Sequence, residues 1–338
     1  MNIKNNILKI SNVYFNKEFI INDTANNINQ FINNYSINNC TSIKNKKIIT
    51  IDNLLVINTL HSCFVHGLID SIFPIFWAIN DIKNHESNVH NIQLFIVRKH
   101  IDLFQRQNLP LIDSKIKKYK GVYHDIISFI TNNYIFEHLI EDKNAYFIKN
   151  CYFYILNDKW QRSPWNSINY YPGRNININS TIFSDMEIKT QLIKFRNLVL
   201  DKTNNNCNIG KGIILINRRK NTRNINNLVL PLTNILNKFD SFKGIIYLED
   251  LTFQEQVNIF INNNVIIGPH GAGMIHNIWS SNKFVIEITF KNKNQDKMYK
   301  RICDITDNHI IQIDYDNILN EIEKKLHYIM NEQKLGNK

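Results

Sequence analysis

At 338 residues and 40.0 kDa the chain is long enough for two domains that each bury a core, and 43% hydrophobic with 20% charged residues is the composition of a soluble globular protein. A formal net charge of +11 and a pI near 9.3 admit nucleic acid, anionic lipid or a small anion as partner. No long Lys/Arg block supports nucleic acid, no stretch approaches the length of about 18 apolar residues that an anchor needs, and Cys40, Cys63, Cys151, Cys207 and Cys303 are scattered without a CxxC pair. Nucleotide phosphates are therefore the preferred anionic partner, and a cytoplasmic chain with reduced thiols and no membrane anchor is expected.

Residues 1–45 are rich in Asn, with short apolar runs that define no element. Lys47–Ile57 reads as a strand, and His61–Ile82 as a helix, because Phe64, Leu68, Ile72, Ile75, Phe76 and Ile79 recur at helical spacing. A strand at 91–97, a helix at 122–133 and a strand at 145–155 continue the alternation, which predicts a mostly parallel sheet with helices on both faces. Residues 158–181 contain both Pro and Gly breakers and read as a linker or a substrate-facing loop, followed by a helix over 184–201. A second series then runs strand 212–217, helix 225–238, strand 244–248, helix 252–263, strand 265–268, helix 273–280 and strand 284–289. A helix near 296–305, a strand near 309–313 and a closing helix from Asn317 complete it. The expected organisation is α/β throughout, with an N-terminal domain over 1–180 and a C-terminal domain over 181–338, facing one another across a cleft.

Three segments carry candidate chemistry. In NVIIGPHGAGMIHNIW a β-branched run ends at a glycine turn that opens an apolar helix. Small residues at Gly271, Ala272 and Gly273 let backbone approach a ligand, the amides of a helix start favour an anion, and the ring of His270 can donate to a phosphate oxygen. The simpler alternative is a turn and nothing more. In ILINRRKNTRNINN, Arg218 stands at a strand end with Arg223 in the following turn, where two guanidinium groups can clamp a diphosphate; the alternative is a solvated basic turn. In HGLIDSIFP, His66 and Asp70 are four apart and share one side of a helix, as a base and its orienting carboxylate would; the alternative is a packed His and a surface Asp.

GPHGAG with its apolar helix and VIEI resembles the signature of glycosyltransferase family 61, which includes plant xylosyl- and arabinosyltransferases and the EGF-domain O-linked N-acetylglucosaminyltransferase. The other two segments resemble that family in the same order, as do Phe253 and Gln256 of the helix before the glycine turn. The resemblance implies a GT-B fold of two Rossmann-like domains and an inverting, metal-independent transfer from a nucleotide sugar, UDP-linked, to a hydroxyl of a glycan or glycoprotein. It also implies that His66 and Asp70 are catalytic and that Arg218, Arg223, His270, Gly271, Ala272 and Gly273 hold the donor. Glu287, a carboxylate inside an apolar strand, must have a partner: ribose hydroxyls, as GT-B donors commonly offer, or a local Arg or backbone group. Met274 and Ile275 stand where many relatives have Thr, which removes a side-chain phosphate contact and leaves the backbone cradle. No HxxxH or HExxH cluster or strand-end DxD points to a metal, and no cofactor is expected beyond the donor itself. A catalytically inactive nucleotide-sugar or glycan-binding protein of the same fold is the alternative.

Overall fold

The structure, a computed structural model, describes residues 2–4, 7–16, 18–21, 37–38, 47–57, 68–86, 89, 91–96, 125–131, 134–136, 144–154, 184–203, 212–219, 224–290 and 297–335. The chain divides into two compact units, the first built on Met1–Trp165 and the second on Phe183–Lys338.

In the N-terminal unit, the short apolar runs that define nothing in the sequence become strands: β1 (Asn2–Lys4), β2 (Ile7–Asn16), β3 (Glu18–Ile21) and β4 (Ile37–Asn38). They add to β5 (Lys47–Ile57), β6 (Gln93–Ile96), β7 (Tyr134–Phe136) and β8 (Asn144–Tyr154). The eight strands run β4-β3-β2-β8-β5-β6-β7, with β1 on β2. From β8 to β7 every pairing is parallel, whereas β2 pairs antiparallel with β8, β1 and β3. The predicted strands thus pair in parallel as expected, and residues before 22 add an antiparallel flank that makes the sheet mixed. Leu54, Leu55 and Val56 are buried, as a central strand requires. The predicted helix over 61–82 is described from Leu68 onward, as a π-helical turn (Leu68–Ile72) running into α1 (Phe73–His85), whose Pro74 occupies the first turn, where its missing N–H costs no bond.

The C-terminal unit follows the predicted alternation closely. Its strands are β9 (Gly212–Asn217), β10 (Phe242–Tyr247), β11 (Asn263–Pro269), β12 (Phe284–Thr289) and β13 (His309–Asp314). Its helices are α2 (Asp185–Lys202), α3 (Asn226–Leu236), α4 (Phe253–Asn262), α5 (Lys297–Ile305) and α6 (Ile318–Leu335). The sheet is parallel throughout, in the order β10-β9-β11-β12-β13. GIILIN and NNVIIGP are continuous apolar runs because both faces of β9 and β11 are covered. Ile213, Leu215, Val265, Ile267, Ile286 and Ile288 pack on α3 and α6 through Leu232, Leu236, Ile322 and Leu326. On the other face Ile214, Ile216 and Ile266 meet Phe260 of α4. Capping boxes at Ser184 and Thr252 satisfy the first amides of α2 and α4.

Strand order reverses between β9 and β11, so the crevice outside their carboxyl ends is where an open α/β sheet of this order receives a ligand. Both glycine-turn and arginine segments emerge there.

Candidate functional site

β9 ends at Asn217, whose side chain is turned to local structure. Its Oδ1 accepts from the Ile225 amide at 3.1 Å, and its Nδ2 donates to Asn226 Oδ1 at 2.9 Å. These bonds tie the strand end to the start of α3 and bracket the segment that carries the arginines. Arg219 and Arg218, adjacent in sequence, differ in their partners. Arg219 is exposed, pairs with Asp250 through Nε at 3.0 and 2.9 Å, and lies 4.4 Å over the Tyr247 ring. Arg218 is half-buried, and its terminal NH1 is closed off from solvent with no hydrogen-bond partner among the described residues. A guanidinium nitrogen left in that state costs free energy, and such an orphan calls for a partner beyond the described residues.

NH1 lies against the glycine turn. A Cβ placed on Gly271 would stand 3.0 Å from it, so the absence of a side chain is what lets the guanidinium reach the backbone. Gly273 and Gly268 meet the same demand toward the core: a Cβ on the first would stand 2.8 Å from Leu248 Cδ1, and on the second 3.1 Å from Ile216 Cβ. The segment after the turn is a 3-10 helix, Ala272–Trp279, and not the α-helix its spacing predicts. Its first bond runs from the Met274 amide to the Gly271 carbonyl at 2.9 Å, so the Ala272 and Gly273 amides precede the helical ladder. Tyr299 of α5 donates to that same Gly271 carbonyl at 2.6 Å and steadies the turn.

His270 and Glu287 are brought together by register. Gly268 of β11 pairs with Glu287 of β12, and Glu287 with Gln312 of β13; His270 projects from the face that Gly268 shares. His270 Nδ1 lies 2.5 Å from Glu287 Oε1, and Gln312 Nε2 donates to Oε2 at 2.7 Å. Glu287 is fully buried with both oxygens occupied. Of the two fates open to this carboxylate in the sequence, the structure supplies an internal partner, though a His and a Gln in place of an Arg or a backbone group.

Three further residues are structural. His276 is buried and accepts from Trp279 Nε1 at 3.0 Å, and burial pushes its ring down to about 3, so it stays neutral. Gln256 donates to the Leu248 and Leu251 carbonyls at 2.8 and 3.1 Å and holds the entry to α4. Phe253 packs its ring 5.8 Å from that of Trp279.

In the N-terminal unit Asp70 belongs to the π-helical turn, on the segment after β5. Its side chain, His66 and Arg223 lie outside the described residues. Single-turn π segments recur at functional sites, and nothing in the hydrophobic spacing of His61–Ile82 signals this one. Among the described residues no three His, Cys, Asp or Glu side chains gather as metal ligands, and no helix is long and apolar enough to cross a membrane.

A family model described as Glycosyltransferase 61 matches residues 49–286, from β5 to within one residue of Glu287, and so takes in all three candidate segments. No curated protein matches the chain.

Proposed function

The chain belongs to glycosyltransferase family 61, and from that membership we propose that its C-terminal unit holds the diphosphate of a nucleotide-sugar donor outside the ends of β9 and β11. Membership makes the protein a glycosyltransferase, with a sugar donor and an acceptor as its partners. In our reading the donor is a UDP-linked hexose or pentose, and the acceptor is a hydroxyl of a glycan or glycoprotein. The acceptor oxygen attacks the anomeric carbon as the bond from that carbon to the phosphate oxygen breaks, with inversion. A base on the segment around His66 and Asp70 takes the acceptor proton. The reading calls for the GT-B arrangement, with donor and acceptor sides on different domains.

The observation that supports it most is the unpartnered NH1 of Arg218 beside Gly271. A planar guanidinium, two amides ahead of a helix and an imidazole are chemically matched to two adjacent phosphates, and they hold the negative charge of the leaving group without a divalent cation. Calorimetry with UDP in excess EDTA tests this. Binding that persists on chelation is expected; binding lost on chelation rejects the metal-free part, and no binding in either condition rejects the site. A donor-hydrolysis screen over nucleotide sugars then separates an enzyme from an inert binder.

A further inference from the structure

Glu287 is 0% exposed and sits among groups that leave it one task. Its Oε2 is taken by Gln312 and its Oε1 faces His270 Nδ1 at 2.5 Å. Gln312 must present its amide N–H to a carboxylate, which has no proton to give, so the acceptor role of Glu287 is set from both sides. The Nδ1 nitrogen of His270 therefore carries the proton of that short contact, and a neutral ring is held in the tautomer whose Nε2 has only a lone pair. Nε2 has no partner among the described residues, and the side chain retains 9% of its surface. That tautomer is the wrong one for an anion, since a lone pair repels a phosphate oxygen. A ring protonated on both nitrogens donates to the phosphate through Nε2 and to Glu287 through Nδ1.

We propose that Glu287, itself held by Gln312, is a positioning residue that keeps the proton on Nδ1 of His270, so that a nucleotide diphosphate binds at the glycine turn together with one proton taken up at Nε2. The proton comes from solvent and forms the Nε2–H bond; nothing else is made or broken. This deepens the proposed function and rests on its diphosphate site. The other groups that face the pair do not supply the proton. Arg218, beside Gly271, is a permanent cation. Tyr299 of α5 meets the His270 ring edge-on at 5.2 Å and spends its hydroxyl proton on the Gly271 carbonyl. Burial and the Glu287 charge push the Cys303 thiol up, which keeps it neutral.

The test is UDP calorimetry on the whole protein at pH 8.5, in non-phosphate buffers of differing ionisation enthalpy. For the native protein the apparent enthalpy should depend on buffer as uptake of about one proton requires, and affinity should fall about tenfold per pH unit through the alkaline range. In Glu287→Gln the Gln312 donor takes the amide oxygen and turns the new NH2 toward Nδ1. The neutral ring is then free to carry its proton on Nε2, so binding should persist, weaker, with uptake lost and the pH dependence flattened. A role confined to folding would change affinity and leave the proton count as it was. UDP bound by the native protein without uptake overturns the proposal, as does a folded Glu287→Gln with native uptake. Should Glu287→Gln fail to fold, the native buffer series alone still decides. UDP that does not bind at all strikes the underlying site instead.

Discussion

Arg218 and Arg219 show how little a basic run reveals until its partners are known. Arg219, exposed and paired with Asp250, makes a solvent-screened surface contact that contributes little. Arg218 is the one with an unpaired, buried nitrogen. Arg218→Ala should therefore weaken UDP binding tenfold or more, the loss of a charge-assisted contact of about 1.5 to 3 kcal/mol, while Arg219→Ala changes it little. Arg218→Lys should recover little, because a point charge does not reproduce the planar fork; equal affinities in all three, by calorimetry, would make the run a solvated turn. His276 answers to a different measurement. Its folded ring sits at about 3, well below the usual 6.5, because burial among Phe253, Phe260 and Trp279 excludes the charged form. The unfolded ring binds a proton that the folded one refuses, so the stability is full above pH 6.5 and is lost as pH falls toward 3, by about 1.4 kcal/mol per unit. Urea unfolding across that window should show a shallower decline in His276→Asn, which keeps an acceptor for Trp279 and removes the titration.

At the scale of elements the glycine turn makes its own prediction. Gly271 has an extended backbone, so Gly271→Ala strains nothing locally; its Cβ would displace the Arg218 guanidinium 3.0 Å away. UDP affinity should fall, with stability within about 0.5 kcal/mol of native by urea titration. A large loss of stability would show that the turn serves the fold alone. The turn and its flanking strands are legible in the sequence because burial on both faces writes β9 and β11 as unbroken apolar runs that end in breakers or Arg. The helix beyond the turn is less legible: MIHNIW has apolar spacing that α and 3-10 helices share over two turns, and hydrogen bonding decides between them. The His270 and Glu287 pair is illegible for another reason. Seventeen residues separate the two, and their meeting depends on the register of β11 with β12 and on Gln312 in β13, which no local pattern encodes. Strands β1 to β4 escape for want of signal: β1, β3 and β4 are short, β2 is broken by Lys, Ser and Asn, and all four are defined by pairing with β8 and with each other.

At the scale of the molecule, each unit reverses strand order within its main run of parallel strands: between β9 and β11 in the C-terminal unit, between β5 and β8 in the N-terminal one. The segment after β9 carries Arg218, and the segment after β5 carries His66 and Asp70. Sheets of this order receive ligands at such reversals, and we propose on that ground that each unit holds one substrate of the transfer. We extend this to the cell by proposing a cytoplasmic enzyme, for which the buried, unpaired thiols of Cys151 and Cys303 are the support. The division has a kinetic consequence. Donor diphosphate bound by the C-terminal unit does not depend on a base in the N-terminal one, so Asp70→Asn or His66→Ala should reduce transfer by a factor of about 100 or more and leave UDP affinity within about twofold of native. His270→Gln should reverse the emphasis, weakening UDP first. Between the two bases, His66 titrates near neutral pH when unperturbed, and Asp70 would orient its ring, so His66→Ala should cost at least as much as Asp70→Asn. Transfer and UDP binding measured on the same three preparations decide it. Native turnover in both N-terminal variants would put the base elsewhere, whereas loss of UDP binding in either would mean that the two units do not divide the work as proposed.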